Sequence, residues 1–339
     1  MIVALDAHGT DAGPEVIVEG ARAAAADGIA LRVFGEPGEL AGLEQVEGVE
    51  VVPAAQRIAN EEEPVRAVRA KPEASIVRAA ADVAAGRSDA LVSAGSTGAA
   101  MAASLFALKR MRGVHRPALA AQLPVPGGPV LFLDIGANAE VQPRHLVQFA
   151  YLGSAFSQAV LGVIQPRVAL LSNGEEAGKG TQVVVEAHEQ LAATRGIRFA
   201  GNGEGRDIPA GAADVIVTDG FTGNVALKLM EGTARMFAGE VREAARSNPL
   251  AIAGGLLLRP ALGGLRRQLD PNVSGGAIML GLRGVAVIGH GSSSGEGIAN
   301  AVRLAARAVE ERAVERTEAL LEAGGVLRRR RRRPPVEVS

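Results

Sequence analysis

The sequence predicts an α/β protein with a mainly parallel sheet and helices on both faces. Three observations carry this reading. Apolar runs of four to seven residues alternate with longer Ala-rich stretches, the pattern of βαβ units. The runs are continuously apolar rather than alternating, as strands covered on both faces must be. Glycine makes up 43 of 339 residues, against a usual share of about 7%, and it recurs where an apolar run gives way to a helical stretch. In chain order, strands are expected at 2–6 (IVALD), 30–34 (ALRVF), 49–52 (VEVV), 90–94 (ALVSA), 118–123, 130–135 (VLFLDI), 167–172 (RVALLS), 197–200, 214–219 (DVIVTD) and 285–289 (VAVIG). Helices are expected over 14–27, 73–86, 97–112, 143–164, 180–195, 222–246 and 296–323. Residues 113–130 are rich in Pro and Gly and suit a crossing point between two lobes.

Length alone suggests roughly two units, no internal repeat is evident, and a helical tip is expected at about 248–270. The glycine pair Gly324-Gly325 then stops the last helix, and 324–339 reads as a disordered Arg-rich tail. Six of the 36 basic residues are the consecutive arginines 328–333, and one of the 37 acidic residues, Glu337, follows them. The net charge of -1 therefore hides an acidic body and a basic tail. Such a body argues against nucleic acid, and the absence of Trp with Tyr151 as the lone Tyr leaves no stacking platform.

Cysteine is absent, which excludes disulfides, thiolate metal sites and a cysteine acyl-enzyme. No signal peptide is expected at MIVALDAHG, and no uncharged apolar run approaches the ~18 residues of a membrane span. A cytoplasmic protein is the expectation. Only Lys71, Lys109, Lys179 and Lys228 are lysines, so each surviving Lys is a candidate for a specific role.

Four Gly-rich turns follow strands and open helices: Ser93 to Gly98, Asn173 to Thr181, Asp219 to Asn224, and Gly289 to Gly295. Helix N-termini offer free N–H groups and a partial positive charge to an anion, and ligands sit beyond the carboxyl ends of strands in such sheets. A phosphate-bearing ligand is the chemistry these turns suit. Structural N-caps account for any single one of them. The turn at 173–181 fails the Walker A pattern twice, at Asn173 and Gly180. The turn at 289–295 has Ser294 where a dinucleotide fingerprint needs Gly. His8, His115, His145, His188 and His290 show no metal-ligand spacing, and neither a metal nor a cofactor is expected. Glu175 and Glu176 are explained by the helix dipole alone. Residues 248–270 are Leu-rich, broken at Gly254-Gly255 and Pro260, and read as two short amphipathic helices. Leu257, Leu262 and Leu265 with Arg259, Arg266 and Arg267 would make an apolar tip with a basic rim. A buried hairpin or a dimer interface fits the same spacing.

Six ordered blocks then identify a resemblance: 2–21, SAGSTGA at 93–99, LDIGANAE at 133–140, NGEEAGKGT at 173–181, 201–228 and 274–294. From Met1 to about residue 316 the chain resembles the PlsX family of bacterial phosphate acyltransferases, and the unbroken run of blocks implies one catalytic unit over 1–323. The resemblance implies transfer of a fatty acyl group from acyl–acyl carrier protein to inorganic phosphate, giving acyl phosphate for phospholipid synthesis. It implies a fold like isopropylmalate dehydrogenases and phosphotransacetylases, and a cytoplasmic homodimer that associates reversibly with an anionic membrane surface. By motif, the family's catalytic residues fall on Lys179 and Asn224. Gly95, Ser96, Thr97, Gly98, Gly223, His290, Gly291, Ser292 and Ser293 are the expected phosphate and substrate contacts. The tip residues are the expected membrane or carrier-protein contacts. His8 and Thr10 depart from the family's first turn, and Ser96 stands where Asn is usual. Three alternatives remain open: acyl transfer with coenzyme A as in phosphotransacetylases, an oxidoreductase of the same fold, and a non-catalytic membrane scaffold.

Overall fold

The structure is a computed structural model that describes residues 1–268 and 271–327, with the side chains of 259–271 outside the description. The first half comprises β1 (Ile2–Asp6), α1 (Pro14–Ala26), β2 (Ala30–Gly35), β3 (Val49–Pro53), α2 (Pro64–Ala70), α3 (Ser75–Ala84), β4 (Ala90–Ser93), α4 (Thr97–Leu108), β5 (Ala118–Leu123), β6 (Val130–Leu133) and α5 (Pro143–Ala159). The second half comprises β7 (Arg167–Leu171), α6 (Gln182–Ala192), β8 (Arg198–Gly203), α7 (Asp207–Ala210), β9 (Val215–Val217), α8 (Gly220–Ala244), α9 (Pro249–Gln268), α10 (Pro271–Ser274), β10 (Ala277–Leu280), β11 (Val285–Ile288), α11 (Gly295–Glu310) and α12 (Ala313–Ala323).

The eleven strands form one sheet in the order β3-β2-β1-β4-β11-β10-β5-β6-β9-β7-β8. Its two wings are parallel, but β10 and β5 are antiparallel to each other and to their outer neighbours β11 and β6. The wings therefore run in opposite senses. The strand residues alternate between two apolar layers: Val3 and Leu5 enter one, Ala4 the other. Ile17 of α1, Phe149 of α5, Ile298 of α11 and Leu321 of α12 complete the first layer. Ile76 of α3 and Ala100 and Ala103 of α4 complete the second, with Leu227 and Met230 of α8 packed at its edge. Helices thus cover both faces, and the uninterrupted apolarity of the strands has its reason.

The strand expected at 118–123 forms as β5, within the stretch 113–130, and pairs with β10 at the sheet centre. Several other elements depart from expectation. The four-residue strand β10 and the helices α2 and α7 went unread. The helix α2 owes its start to Glu63, whose carboxylate accepts from the Val65 and Arg66 N–H groups, and to Pro64 in its first turn. The expected helix 296–323 is divided at Arg312, which adopts φ 52. The two short helices expected in 248–270 are one continuous α9. Gly255 there lies against Ala245 at the end of α8, where a Cβ on Gly255 would sit 3.0 Å from that of Ala245. Residues 324–327, expected in the tail, pack on the body. Gly324 lies against Tyr151, the Val326 carbonyl accepts from Gln148 Nε2 at 3.0 Å, and Leu327 packs on the core. Residues 328–339, the six arginines included, lie outside the described residues.

Candidate active site

Three turns meet at the carboxyl ends of β1, β4 and β11. Gly9, at φ 93, approaches so closely that a Cβ would stand 2.8 Å from the Gly95 Cα. The Asp11 N–H donates to the Gly291 carbonyl at 2.8 Å, and the Gly289 N–H donates to the Ser93 carbonyl at 2.7 Å. Beneath them, buried Asp6 accepts from Ser75 Oγ at 2.5 Å and Ser93 Oγ at 2.7 Å. Ser93 Oγ in turn accepts from the Gly95 N–H at 3.2 Å. Burial pushes the Asp6 carboxyl above its ordinary range, and the two serine hydroxyls oppose that shift. The network fixes the backbone that leads into α4.

The expected substrate contacts at this end are therefore adjacent: Gly95, Ser96, Thr97 and Gly98 on one turn, His290, Gly291, Ser292 and Ser293 on the other. Ser96 and Ser294 also serve as N-caps, accepting from Ala99 at 3.5 Å and Gly297 at 3.2 Å. Ser292 Oγ lies 2.7 Å from His290 Nδ1. Thr10, a departure from the family pattern, uses its hydroxyl to accept from the Ala12 N–H at 3.0 Å.

The second group forms where β6 and β9 end. Asp134 is fully buried, and five N–H groups converge on it. Oδ1 accepts from the backbone N–H groups of Leu119, Gly136 and Ala137 at 2.9–3.2 Å. Oδ2 accepts from the N and Nδ2 of Asn138, both at 2.8 Å. Burial raises the Asp134 carboxyl, and these donors oppose the rise. The turn so held seats the head of α8. The Gly220 N–H donates to the Asn138 carbonyl at 2.7 Å, Asp219 caps the helix through Thr222 N at 2.8 Å, and Gly223 lies directly on the Asp134 carbonyl. Next to it, Asn224 Nδ2 is 3.4 Å from where a Cβ on Gly136 would sit.

Because the wings run in opposite senses, the carboxyl ends that carry the two groups point to opposite ends of the sheet. The helix α8 bridges them, since its 25 residues span about 38 Å. Asn224 and Lys228 are four residues apart and share a face. Lys228 Nζ reaches to 3.5 Å from His290 Nε2 and also pairs with Glu231 at 3.2 Å. A cleft of about 940 Å3 runs between Gly98 at the head of α4 and Ala137 and Asn138 of the β6 turn. Lys179 lies apart, exposed on the turn after β7, with its stem over Gly174. Its ammonium has no hydrogen-bond or ion-pair partner among the described residues.

Asp6, Asp134, Asn138 and Lys228 were not named as site residues from sequence. The D-I-G-A-N run was a readable sign of a carboxylate collecting nearby N–H groups. Lys228 carried no sign beyond the scarcity of lysine. On the tip, Leu257 is 83% exposed. Arg259, Leu262, Leu265, Arg266 and Arg267 lie on α9, but their side chains are outside the description. Among the described residues, no helix is long and apolar enough to cross a membrane.

The chain is similar to known proteins over most of its length. The model of the family described as "Fatty acid synthesis protein" matches residues 1–316. A phosphate acyltransferase of Elusimicrobium minutum is 44% identical over 317 residues, 91% of this chain and 93% of its own. One of Heliobacterium modesticaldum is 45% identical over 318 residues, 92% and 95% of the two chains. Among solved structures, the EutD phosphotransacetylase from Staphylococcus aureus superposes with a TM-score of 0.60 at 19% identity, covering 91% of this chain and 94% of that one. A 4-hydroxythreonine-4-phosphate dehydrogenase from Klebsiella pneumoniae gives 0.53 at 16% identity, covering 91% and 98%. These two share the fold alone, and they place a dehydrogenase and an acyl-transfer enzyme on one scaffold. By its match over residues 1–316 and its relatives, the chain belongs to the fatty acid synthesis protein family and is a phosphate acyltransferase.

Proposed function

We propose that the enzyme transfers a fatty acyl group from acyl–acyl carrier protein to inorganic phosphate, giving acyl phosphate for phospholipid synthesis. One observation carries the reading: a single cleft joins the Gly-rich α4 head to the turn that seats Asn224. A phosphate oxygen attacks the thioester carbonyl carbon, and a tetrahedral oxyanion forms. The carbon–sulfur bond then breaks, and the proton of hydrogen phosphate passes to the departing thiolate. Phosphate is itself the nucleophile, so the chain needs no cysteine. What it must supply is position and charge stabilisation.

In this reading Lys179 offsets the charge of phosphate as it nears the carbonyl, and Asn224 donates its amide to phosphate or to the oxyanion. The N–H groups at 96–98 and of Gly291 complete the cradle, those of Gly95, Ser292 and Ser293 being held by Ser93 Oγ, His290 Nδ1 and the His290 carbonyl; Ser96, Thr97, Ser292 and Ser293 are hydroxyl donors, with His290 beside them. Lys228, reaching His290 from the Asn224 face of α8, couples the two groups of residues. The exposed Phe221, Val225 and Leu229 of α8 support a homodimer. Exposed Leu256, Leu257 and Leu258, followed in sequence by Arg259, Arg266 and Arg267, support peripheral contact with anionic membrane or with the acidic carrier protein.

The test measures acyl phosphate made from acyl–acyl carrier protein and from acyl-coenzyme A side by side, with binding to anionic vesicles followed in the same preparations. Faster turnover of the carrier-protein donor, and vesicle binding lost on deletion of 250–269, are expected. Preference for coenzyme A would assign the alternative donor, and vesicle binding that survives the deletion would reassign the tip to core or dimer contact.

A further inference from the structure

The cleft carries more positive charge than inorganic phosphate requires. Lys109, Arg110, Arg112, Arg116 and Arg283 all line it. Among the described residues none of the five is ion-paired. Arg110 donates to the His115 carbonyl, and Arg283 Nε donates to the Arg110 carbonyl at 3.1 Å. The side chains of Lys109, Arg112 and Arg116 have no hydrogen-bond or ion-pair partner among the described residues. The one carboxylate lining the cleft, Glu63, is engaged by the two N–H groups at the head of α2. Elsewhere the chain pairs its arginines, as at Arg32, Arg167, Arg206 and Arg303. The neighbourhood registers the surplus: burial first, then Arg144, His115 and Arg116, hold the His145 imidazole down to about 4.

The wall between these cations and the α4 head is apolar. Gly98, Met101, Ala102, Leu105 and Lys109 all line the cleft, and their spacing places them on one face of α4 and its end. That face is a track of about 16 Å. Met279 of β10 faces the same space, and methionine adapts to flexible ligands. The cleft's volume of about 940 Å3 is at the upper end for small-molecule sites, roughly 300–1,000 Å3. Inorganic phosphate would fill little of it. A long, flexible, mainly uncharged arm with an anion at its far end fits both the wall and the cations.

We propose that this track binds the phosphopantetheine arm of the acyl donor. The phosphodiester is held by Lys109, Arg112 and Arg116, the arm lies along Met101, Leu105 and Met279, and the thioester is delivered to the head of α4 beside the 290–293 turn. The inference rests on the thioester donor proposed above. It adds a specificity site on the loop between α4 and β5, which no family motif singled out.

The experiment compares two minimal donors, an acyl-phosphopantetheine and the same acyl-pantetheine without its phosphate. The full chain is used, as wild type and as the Lys109→Ala/Arg112→Ala/Arg116→Ala variant. Wild type is expected to favour the phosphorylated donor in kcat/KM by about tenfold or more, the scale of charged hydrogen bonds, and the variant is expected to bring that ratio close to one. A second variant, Leu105→Trp, is expected to raise KM for both donors but not for phosphate. A ratio in the triple variant equal to that of wild type overturns the proposal. So does a triple variant that loses only acyl–acyl carrier protein and keeps its preference between the two small donors, because its cations would then meet the protein surface. Wild type that makes no acyl phosphate from any donor instead overturns the donor reading itself, and this site with it.

Discussion

Lys179→Ala and Asn224→Ala are each expected to lower turnover by about 10²–10³, the usual cost of removing one donor to a developing oxyanion. The effect should fall on kcat with the fold unchanged. Lys179 is exposed and its ammonium touches no described partner, so its loss leaves no buried group unsatisfied. Asn224 is also exposed, at the rim where the Gly136 backbone passes. Thermal unfolding should therefore stay within about 0.5 kcal/mol of wild type, as for surface substitutions generally, while steady-state turnover collapses. Near-normal turnover in either variant would remove that residue from the chemistry. Lys179 is the sharper case, because it sits on the turn after β7 and no hydrogen bond links it to the Asn224 and His290 groups.

Gly223→Ala is expected to damage both stability and activity. A Cβ at 223 would stand 1.9 Å from the Asp134 carbonyl oxygen and 3.0 Å from Thr218 Cγ2. The first neighbour is backbone on a turn fixed by five N–H donors, so it cannot step aside cheaply. Overpacking of this kind costs about 3 kcal/mol or more, and relief requires the head of α8 to lift away with Asn224. Gly232→Ala and Gly239→Ala on the same helix are the controls. Neither added Cβ meets any atom within 4 Å, so each should stabilise by about 0.5–1 kcal/mol through helix propensity. Chemical denaturation of the three variants decides the matter. A Gly223→Ala chain as stable and active as the controls would mean that α8 is not seated on the Asp134 turn as described.

The strands with continuous apolar runs were legible because burial on both faces leaves a direct mark on composition. Their directions were not. Nothing in VLFLDI says that β6 runs opposite to β4, so the sequence could not show that the turns at 93–98 and 219–224, each at the carboxyl end of its strand, point to opposite ends of the sheet. Antiparallel β10 and β5 impose that arrangement, and β10 has only four residues to announce itself. Helix breakers misled in one place: Gly254, Gly255 and Pro260 suggested two helices, but the chain is helical through all three. In the site, Lys179, Asn224 and the Gly-rich turns were readable as residue types suited to anions. Asp6 and Asp134 were not, because each acts by collecting donors from distant segments, and only the fold brings Ser75, Ser93 or Leu119 to them. Lys228 is similar, since its contact with His290 depends on the length and path of α8.

The central claim is that phosphate attacks the thioester directly, with no acyl-enzyme between. Its most direct measurement follows free thiol after mixing enzyme at substrate-level concentration with acyl–acyl carrier protein, first without phosphate and then with it. No thiol release above the uncatalysed background is expected until phosphate is added, after which thiol and acyl phosphate should appear in equal amounts. A burst of thiol equal to the enzyme concentration in the absence of phosphate would contradict the account.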